Sequence, residues 1–305
     1  MLRFILKRLL HGLAVLWVVA TLTFVLMHVT PGGPFDRERR LPPEVLANIA
    51  AKYHLDEPLI KQYGRYLREL VQGDLGPSYK YVDRNVADIV RDTLPVSTAL
   101  GLMSLAFALL ISFPAALFAA YYHNSWVDRG SMFLATLGIS VPHFILGALL
   151  IWIFSVQLGW FQAGRWGQVT SVVLPTITLG AAPAAYLSHL LRSTLLETLG
   201  EDFIRTARAK GLRETVVILK HALRNSLIPT LTVLGPLVAA LITGSFVIEY
   251  VFAVPGMGRF FITAVTDRDY PMIMGVTLIY TALLVSANFL VDLFYSVLDP
   301  RIKAY

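Results

Sequence analysis

The sequence predicts an all-α protein that crosses a membrane six times. Three observations carry that prediction: the overall composition, six long apolar stretches, and the scarcity of charge inside them. Hydrophobic residues make up 56% of the 305 and charged residues 15%, against roughly a quarter charged in an ordinary soluble domain. Mean hydropathy is +0.62. The stretches lie at residues 9–29, 96–121, 131–158, 172–191, 227–248 and 272–291. Each approaches or exceeds the roughly 20 residues with which a helix spans a hydrocarbon core. No Asp, Glu, Lys or Arg lies between Asp92 and Asp128, between Arg129 and Arg165, or between Arg165 and Arg192. A soluble core helix keeps one polar face, and these stretches have none.

The first stretch has the basic start of a signal peptide in Arg3, Lys7 and Arg8. Its apolar part is longer than the usual 7–15 residues or so, and no small-x-small cleavage site precedes the turn Thr30-Pro31-Gly32-Gly33. It is read as a retained first helix. The chain has no cysteine, which excludes disulfides and thiolate chemistry.

Basic residues in short loops set the orientation. With the N-terminus inside, Arg3, Lys7 and Arg8 face the cytoplasm, together with Arg129, the seven basic residues from Arg192 to Arg224, and Arg301 and Lys303. The short outside loops then hold only Arg165, Arg259 and Arg268. The expectation is N-in and C-in. The formal charge of +6 is thereby mostly a topology signal, and nucleic-acid binding is not expected.

Two polar segments remain. Residues 31–95, between the first two spans, predict a helical domain outside the membrane. Pro42-Pro43 opens one helix with Leu46, Ile49 and Tyr53 on a face, and Asp56-Glu57-Pro58 opens a second with Leu59, Tyr63, Leu67 and Leu70, stopped by Gly73. A third, short helix holds Val86, Ile89, Val90 and Leu94. The segment can serve as a packed cap or as a docking surface. Residues 192–226 are longer than a usual helix–helix connection and read as helix, Gly211, then a second helix from Glu214 to Arg224. Glu201 and Asp202 at the start of the first helix and Lys210 at its end suit the helix dipole, and Gly211 suits the left-handed position that follows. The alternatives are a basic loop that only fixes topology, or a docking element whose small Ala207 and Ala209 let a partner approach closely.

The run Phe203-Ile-Arg-Thr-Ala-Arg-Ala-Lys-Gly-Leu212, then Lys220-His-Ala-Leu-Arg-Asn225 and Ile228-Pro229, resembles the cytoplasmic loop of ABC-type peptide importer permeases. Ala207 and Gly211 match the wider importer pattern Glu-Ala-Ala-x₃-Gly. Arg205 and Thr206 replace its Glu and Ala, and Arg224 replaces a later proline, departures similar to the dipeptide and oligopeptide branch. Gly73-Asp-Leu-Gly76, Gly244-Ser245 with Glu249, Pro255-Gly-Met-Gly258, Arg268-Asp-Tyr270 and Asp299-Pro-Arg301 resemble segments of the same branch. Residues 41–48 and 52–55 look most similar to the oligopeptide permease B subunit.

That resemblance implies a type I ABC importer permease fold: residues 1–30 with the first span, a periplasmic helical insertion at 31–95, and a core at 96–305 carrying a cytoplasmic coupling loop at 192–226. It implies a multi-pass protein of a bacterial inner membrane, forming half of a translocation pathway for oligopeptides, or for dipeptides, glutathione or a small solute such as nickel. The implied partners are membrane lipid, a second homologous permease subunit, two cytoplasmic ATP-binding subunits that hold ATP and magnesium, and a periplasmic peptide-binding protein. Asp202, Phe203, Arg205, Thr206, Ala207, Arg208, Ala209, Lys210 and Gly211 are the implied ATPase-coupling residues. The sequence has no Gly-x₄-Gly-Lys-Ser/Thr loop of its own to cradle ATP. It names no pathway residue, catalytic residue, metal ligand or cofactor.

A membrane-embedded enzyme is the rival reading, with His143, His189, Glu249 and Asp292 as its best residues, because ionisable groups at depth are costly. No His-Glu-x-x-His or Gly-x-Ser-x-Gly motif accompanies them. Glu249 and Asp292 are expected at helix ends in reach of water, and His143 is expected to satisfy local backbone. No ring-forming filter sequence favours an ion channel.

Overall fold

The computed structural model describes residues 2–32, 34–35, 51–81, 83–243 and 245–298. Most of the predicted helix around Leu46 and Ile49, the side chain of Asp292 and the motif Asp299-Pro-Arg301 lie outside what is described. Among the described residues the regular elements are helical, and the β-contact is an isolated bridge between Pro77 and Asn85. In chain order these are α1 (Leu2–Val29), α2 (Leu59–Val71), α3 (Val86–Tyr121), α4 (Trp126–Ser140), α5 (His143–Leu150) and π1 (Ile151–Gln157). Then come α6 (Val169–Leu199), α7 (Asp202–Ala209), α8 (Glu214–Val216), π2 (Val217–Ala222), α9 (Leu223–Ile242), α10 (Phe246–Val251), α11 (Met257–Asp267) and α12 (Tyr270–Leu298).

Five helical stretches are long and apolar enough to cross a membrane: Ile5–Val29, Val86–Tyr121, Val169–Leu199, Glu214–Val251 and Tyr270–Leu290. The predicted third span is not one straight helix. It is α4 followed by α5 and π1, bent by 106° where they meet, and it makes a sixth span only if the bent pair counts as one. The bend falls at Val141-Pro142, both extended (ψ 120° and 135°). A residue that precedes proline is pushed out of the helical region by the proline ring. Pro95, Pro114, Pro175, Pro183, Pro229 and Pro236 sit inside helices without ending them, as neighbouring groups in a bundle allow.

Two boundaries also differ from the sequence reading. The short helix expected around Val86 to Leu94 is the opening of α3, a single helix of 36 residues and so ~54 Å long. The second helix expected at 214–224 is not a separate element either: α8, π2 and α9 run on without a break.

By its internal contacts the chain divides into two compact units, 1–96 with 255–305, and 97–254. In the first, α1 packs along α12 and an aromatic core of Phe24, Tyr270 and Met274 gathers Met27, Tyr63, Tyr66 and Tyr79 around it. Thr21 Oγ1 and Tyr63 Oη share a hydrogen bond of 2.7 Å that ties α2 to α1. Three motifs far apart in sequence meet here. Tyr270 donates to the carbonyl of Gly32 at 3.0 Å, and the buried Asp269 carboxylate accepts from the Ser78 hydroxyl and from the backbone N–H of Tyr79 at 3.1 Å. The same carboxylate accepts from Met272 N at 3.3 Å, so it caps α12 while holding the loop that leads into α3.

In the second unit α6 is central. Leu174, Leu179, Leu187, Leu191 and Leu195 are buried on it, and α4, α5, α9 and α10 pack against it. The backbones come close enough that a Cβ on Gly101 of α3 would lie 2.1 Å from the Leu241 carbonyl oxygen of α9. Small residues at such crossings are what let membrane helices pack without a hydrophobic drive between them.

Candidate coupling surface

The chain leaves α6 at Gly200 and turns through Glu201, whose extended backbone (φ −72°, ψ 152°) starts α7. Asp202 sits in the first turn and Arg208 in the last, the charge order that the helix dipole favours. Ile204 N and Arg205 N donate to Glu201 O, and Lys210 N donates to Thr206 O. Gly211 then takes φ 77°, the left-handed conformation, with its N–H on Arg208 O at 2.9 Å. A Cβ there would meet nothing within 4 Å, so the position asks for glycine by backbone angle alone.

Three residues apart, Ile204 and Ala207 fall on one face of α7. Both are buried, in a cluster with Ala116 and Ala120 of α3, Leu191 and Leu195 of α6, and Val217 and Ala222 of π2. This corrects one expectation. Ala207 is small because it seats α7 on its own chain, so it offers no approach to a partner. Ile204, absent from the residues singled out in the sequence, is fully buried and anchors the helix; its i, i+3 spacing to Ala207 was the available signal.

The opposite face is open. Asp202, Phe203, Arg205, Thr206, Ala209, Lys210 and Gly211 are exposed, and Phe203 shows 41% of its surface. Asp202 and Arg205 form an exposed pair at 3.3 Å, and Thr206 Oγ1 returns to Asp202 O at 3.0 Å. Arg208 is exposed as well, with 42% of its side chain open, and it pairs with its own chain. Its Nη2 and Nε donate to Glu214 at 2.6 and 3.1 Å, across the Gly211 turn and onto the first turn of α8. What α7 presents is therefore an aromatic residue set among polar side chains, on a short helix fixed from behind.

A second polar centre went unnoticed in the sequence. Asp128 at the start of α4 is 2% exposed and accepts from Arg192 of α6 through two hydrogen bonds, 2.6 and 2.7 Å. Asn124 N donates to the same carboxylate at 2.9 Å, and His123 Nδ1 lies 3.4 Å away. Arg192 had been counted only as a topology charge; no local pattern links it to a residue 64 positions earlier.

Three of the four rival enzyme residues have described side chains. His143 is exposed on the first turn of α5 and makes no hydrogen bond to local backbone among the described residues. His189 Nε2 meets Thr136 Oγ1 at 3.3 Å. Glu249 does not reach water as expected: it is fully buried, because α10 folds back against α5 and α6. Among the described residues no three His, Cys, Asp or Glu side chains come together as a metal site would need.

Residues 112–304 match the family described as binding-protein-dependent transport system inner membrane component, and residues 1–101 match the N-terminal membrane component of such systems. The chain is 47% identical over 305 residues to the dipeptide transport system permease protein of Bacillus subtilis, covering 100% of this chain and 99% of that one. It is 45% identical to the oligopeptide transport system permease protein of Haemophilus influenzae and 41% to that of Escherichia coli K12, each covering 99% of this chain and 100% of the relative. Among solved structures, a chain of the MetNI methionine ABC transporter superposes with TM-score 0.55 at 20% identity, over 69% of this chain and 96% of that one. An amino acid ABC transporter gives TM-score 0.55 at 16% identity, over 68% and 93%.

Proposed function

The chain belongs to the family of binding-protein-dependent transport system inner membrane components, and from that premise we propose that it forms half of the pathway of an ATP-driven importer of dipeptides or oligopeptides. The observation that carries this reading is similarity along the whole chain to permeases named for those two substrates. The sequence alone leaned toward oligopeptides; relatives of both names at 47% and 45% identity keep both in the proposal. It is a multi-pass membrane protein, and in this reading it resides in the inner membrane with N- and C-termini inside and residues 31–95 outside. A second permease subunit, two ATP-binding subunits and a peptide-binding protein complete the importer, and ATP with magnesium belongs to the ATP-binding subunits.

In this reading α7 couples the ATPases to transport. Support comes from its seat and its open face. Ile204 and Ala207 fix it to α3, α6 and π2, so a push on Phe203, Thr206 or Lys210 is delivered to three elements of the second unit at once. Phe203 supplies the apolar anchor that hot spots of an interface use. The test is to purify the tagged chain from its own host and identify what comes with it. Two ATP-binding proteins and a second permease should copurify, and the complex in lipid should hydrolyse ATP faster with binding protein and peptide than without. A chain that copurifies with neither, or an ATPase rate indifferent to peptide, overturns the reading.

A further inference from the structure

The first unit carries an open pocket of about 220 Å³ where the last turns of α1, the start of α12 and parts of the chain between Lys52 and Tyr79 meet. Aromatic rings form much of its wall. Tyr53 and Tyr79 are 4.6 Å apart between centroids, Phe24 and Tyr66 5.8 Å, and Tyr79 and Tyr270 6.5 Å. Glu69 and Asp74 line the same pocket. The cations that also line it are Arg65 and Lys52. Arg65 is committed to Glu57, with Nη2 at 2.7 and 2.6 Å from the two carboxylate oxygens. Lys52 Nζ stands 5.6 Å from the Tyr53 ring centroid, an ammonium on the face of one of these very rings.

Aromatic faces carry negative potential and attract ammonium groups. Two carboxylates beside them strengthen the preference and repel an anion. Asp74 is exposed and accepts from the backbone N–H of Gly76 at 2.9 Å, and Glu69 is half-buried. An apolar guest would therefore cover the Glu69 carboxylate at a desolvation cost. Burial first, then the nearby charge of Asp269, pushes the Tyr79 hydroxyl well above its ordinary range, with Glu69 adding to the effect. That ring therefore stays neutral and its surroundings are negative. We propose that the pocket binds a primary ammonium group, carried by a small organic cation or by the free amino terminus of a short peptide, against Tyr53 and Tyr79 with Glu69 and Asp74 as counter-charges. The choice of a peptide as carrier rests on the transport reading above; the ammonium chemistry does not.

The experiment uses the full chain in lipid nanodiscs and saturation-transfer NMR with three probes: n-butylammonium, trialanine and N-acetyl-trialanine. Butylammonium and trialanine should bind and compete, with the acetylated peptide weaker by about tenfold or more. Glu69→Gln combined with Asp74→Asn should weaken both binders by about fivefold or more. If that double variant does not fold, Tyr53→Leu against Tyr53→Phe serves instead, with loss expected only for leucine. Equal binding of the acetylated peptide, no binding of either amine up to about 50 mM, or wild-type affinity in the acid variant overturns the proposal. Trialanine binding that butylammonium cannot displace overturns it too. Butylammonium binding without trialanine removes the peptide as carrier and leaves the importer reading untouched, since copurification of the ATPases decides that separately.

Discussion

At the residue scale, Gly211 and Asp128 show two different demands. Gly211 has open space around it and a backbone angle that only glycine holds without strain. A β-branched side chain costs roughly 1–2 kcal/mol there, or else the last turn of α7 unwinds. Gly211→Val should therefore reach the membrane at a near-normal level while peptide uptake fails and ATPase activity stops responding to substrate. Normal uptake by this variant, with the ATPases still bound, would reduce the loop to a topology device. Asp128 answers to charge. Breaking a buried, hydrogen-bonded pair leaves one charge desolvated and costs about 3–5 kcal/mol; with Arg192 partly exposed (24% of its side chain), the lower end applies. Asp128→Leu should lower the melting temperature in detergent clearly more than the double variant Asp128→Leu, Arg192→Met departs from Arg192→Met alone. Strict additivity of the two changes would show that the pair contributes no coupling.

At the element scale, α7 is a helix of eight residues, too short to be stable by itself. Its stability comes from the face carrying Ile204 and Ala207. Deleting a buried isoleucine side chain to alanine costs about 2–5 kcal/mol, which is more than so short an element can absorb while staying docked. Ile204→Ala should open the segment between Gly200 and Arg213 to trypsin at Arg205, Arg208 and Lys210, with the rest of the chain intact. A digestion rate equal to wild type would mean the seat is not what holds α7. The helix predicted from Asp202 to Lys210 was legible because acids, bases and glycine mark its ends. Its direction was not, because a face of Ile204 and Ala207 tells that something covers it and not whether the cover is the same chain or another. The bend at Pro142 was half legible: proline marks a hinge, yet Pro95, Pro114, Pro175, Pro183, Pro229 and Pro236 sit inside helices unbroken.

At the scale of the whole molecule, the basic residues favour both termini in the cytoplasm and residues 31–95 outside. A reporter active only in the cytoplasm should work when fused after Tyr305. Inserted after Val71, which is 88% exposed at the end of α2, it should be silent, and a periplasmic reporter at the same place active. Finding both positions on one side of the membrane would remove the even number of crossings. The experiment also decides whether α4, α5 and π1 cross together, since counting the bent pair as no crossing leaves five and puts the termini on opposite sides.

The sequence by itself determined the helical membrane class, five of the six crossing stretches, the location of α7 and the family whose motifs run along the chain. These are local properties: an uncharged run of twenty residues has one low-energy solution in a bilayer, and a cap or a glycine acts within one turn. Only the tertiary structure decided that the third stretch folds at Pro142, that Ala207 is buried against its own chain while exposed Arg208 pairs with Glu214, that Glu249 is buried, and that Asp128 meets Arg192. It also brought Gly32, Ser78 and Asp269–Tyr270 to one place. Each of those depends on which helix faces lie together, and in an apolar chain nearly every face is equally greasy. Periodicity, which reveals the buried side of a helix in water, has no contrast left to report.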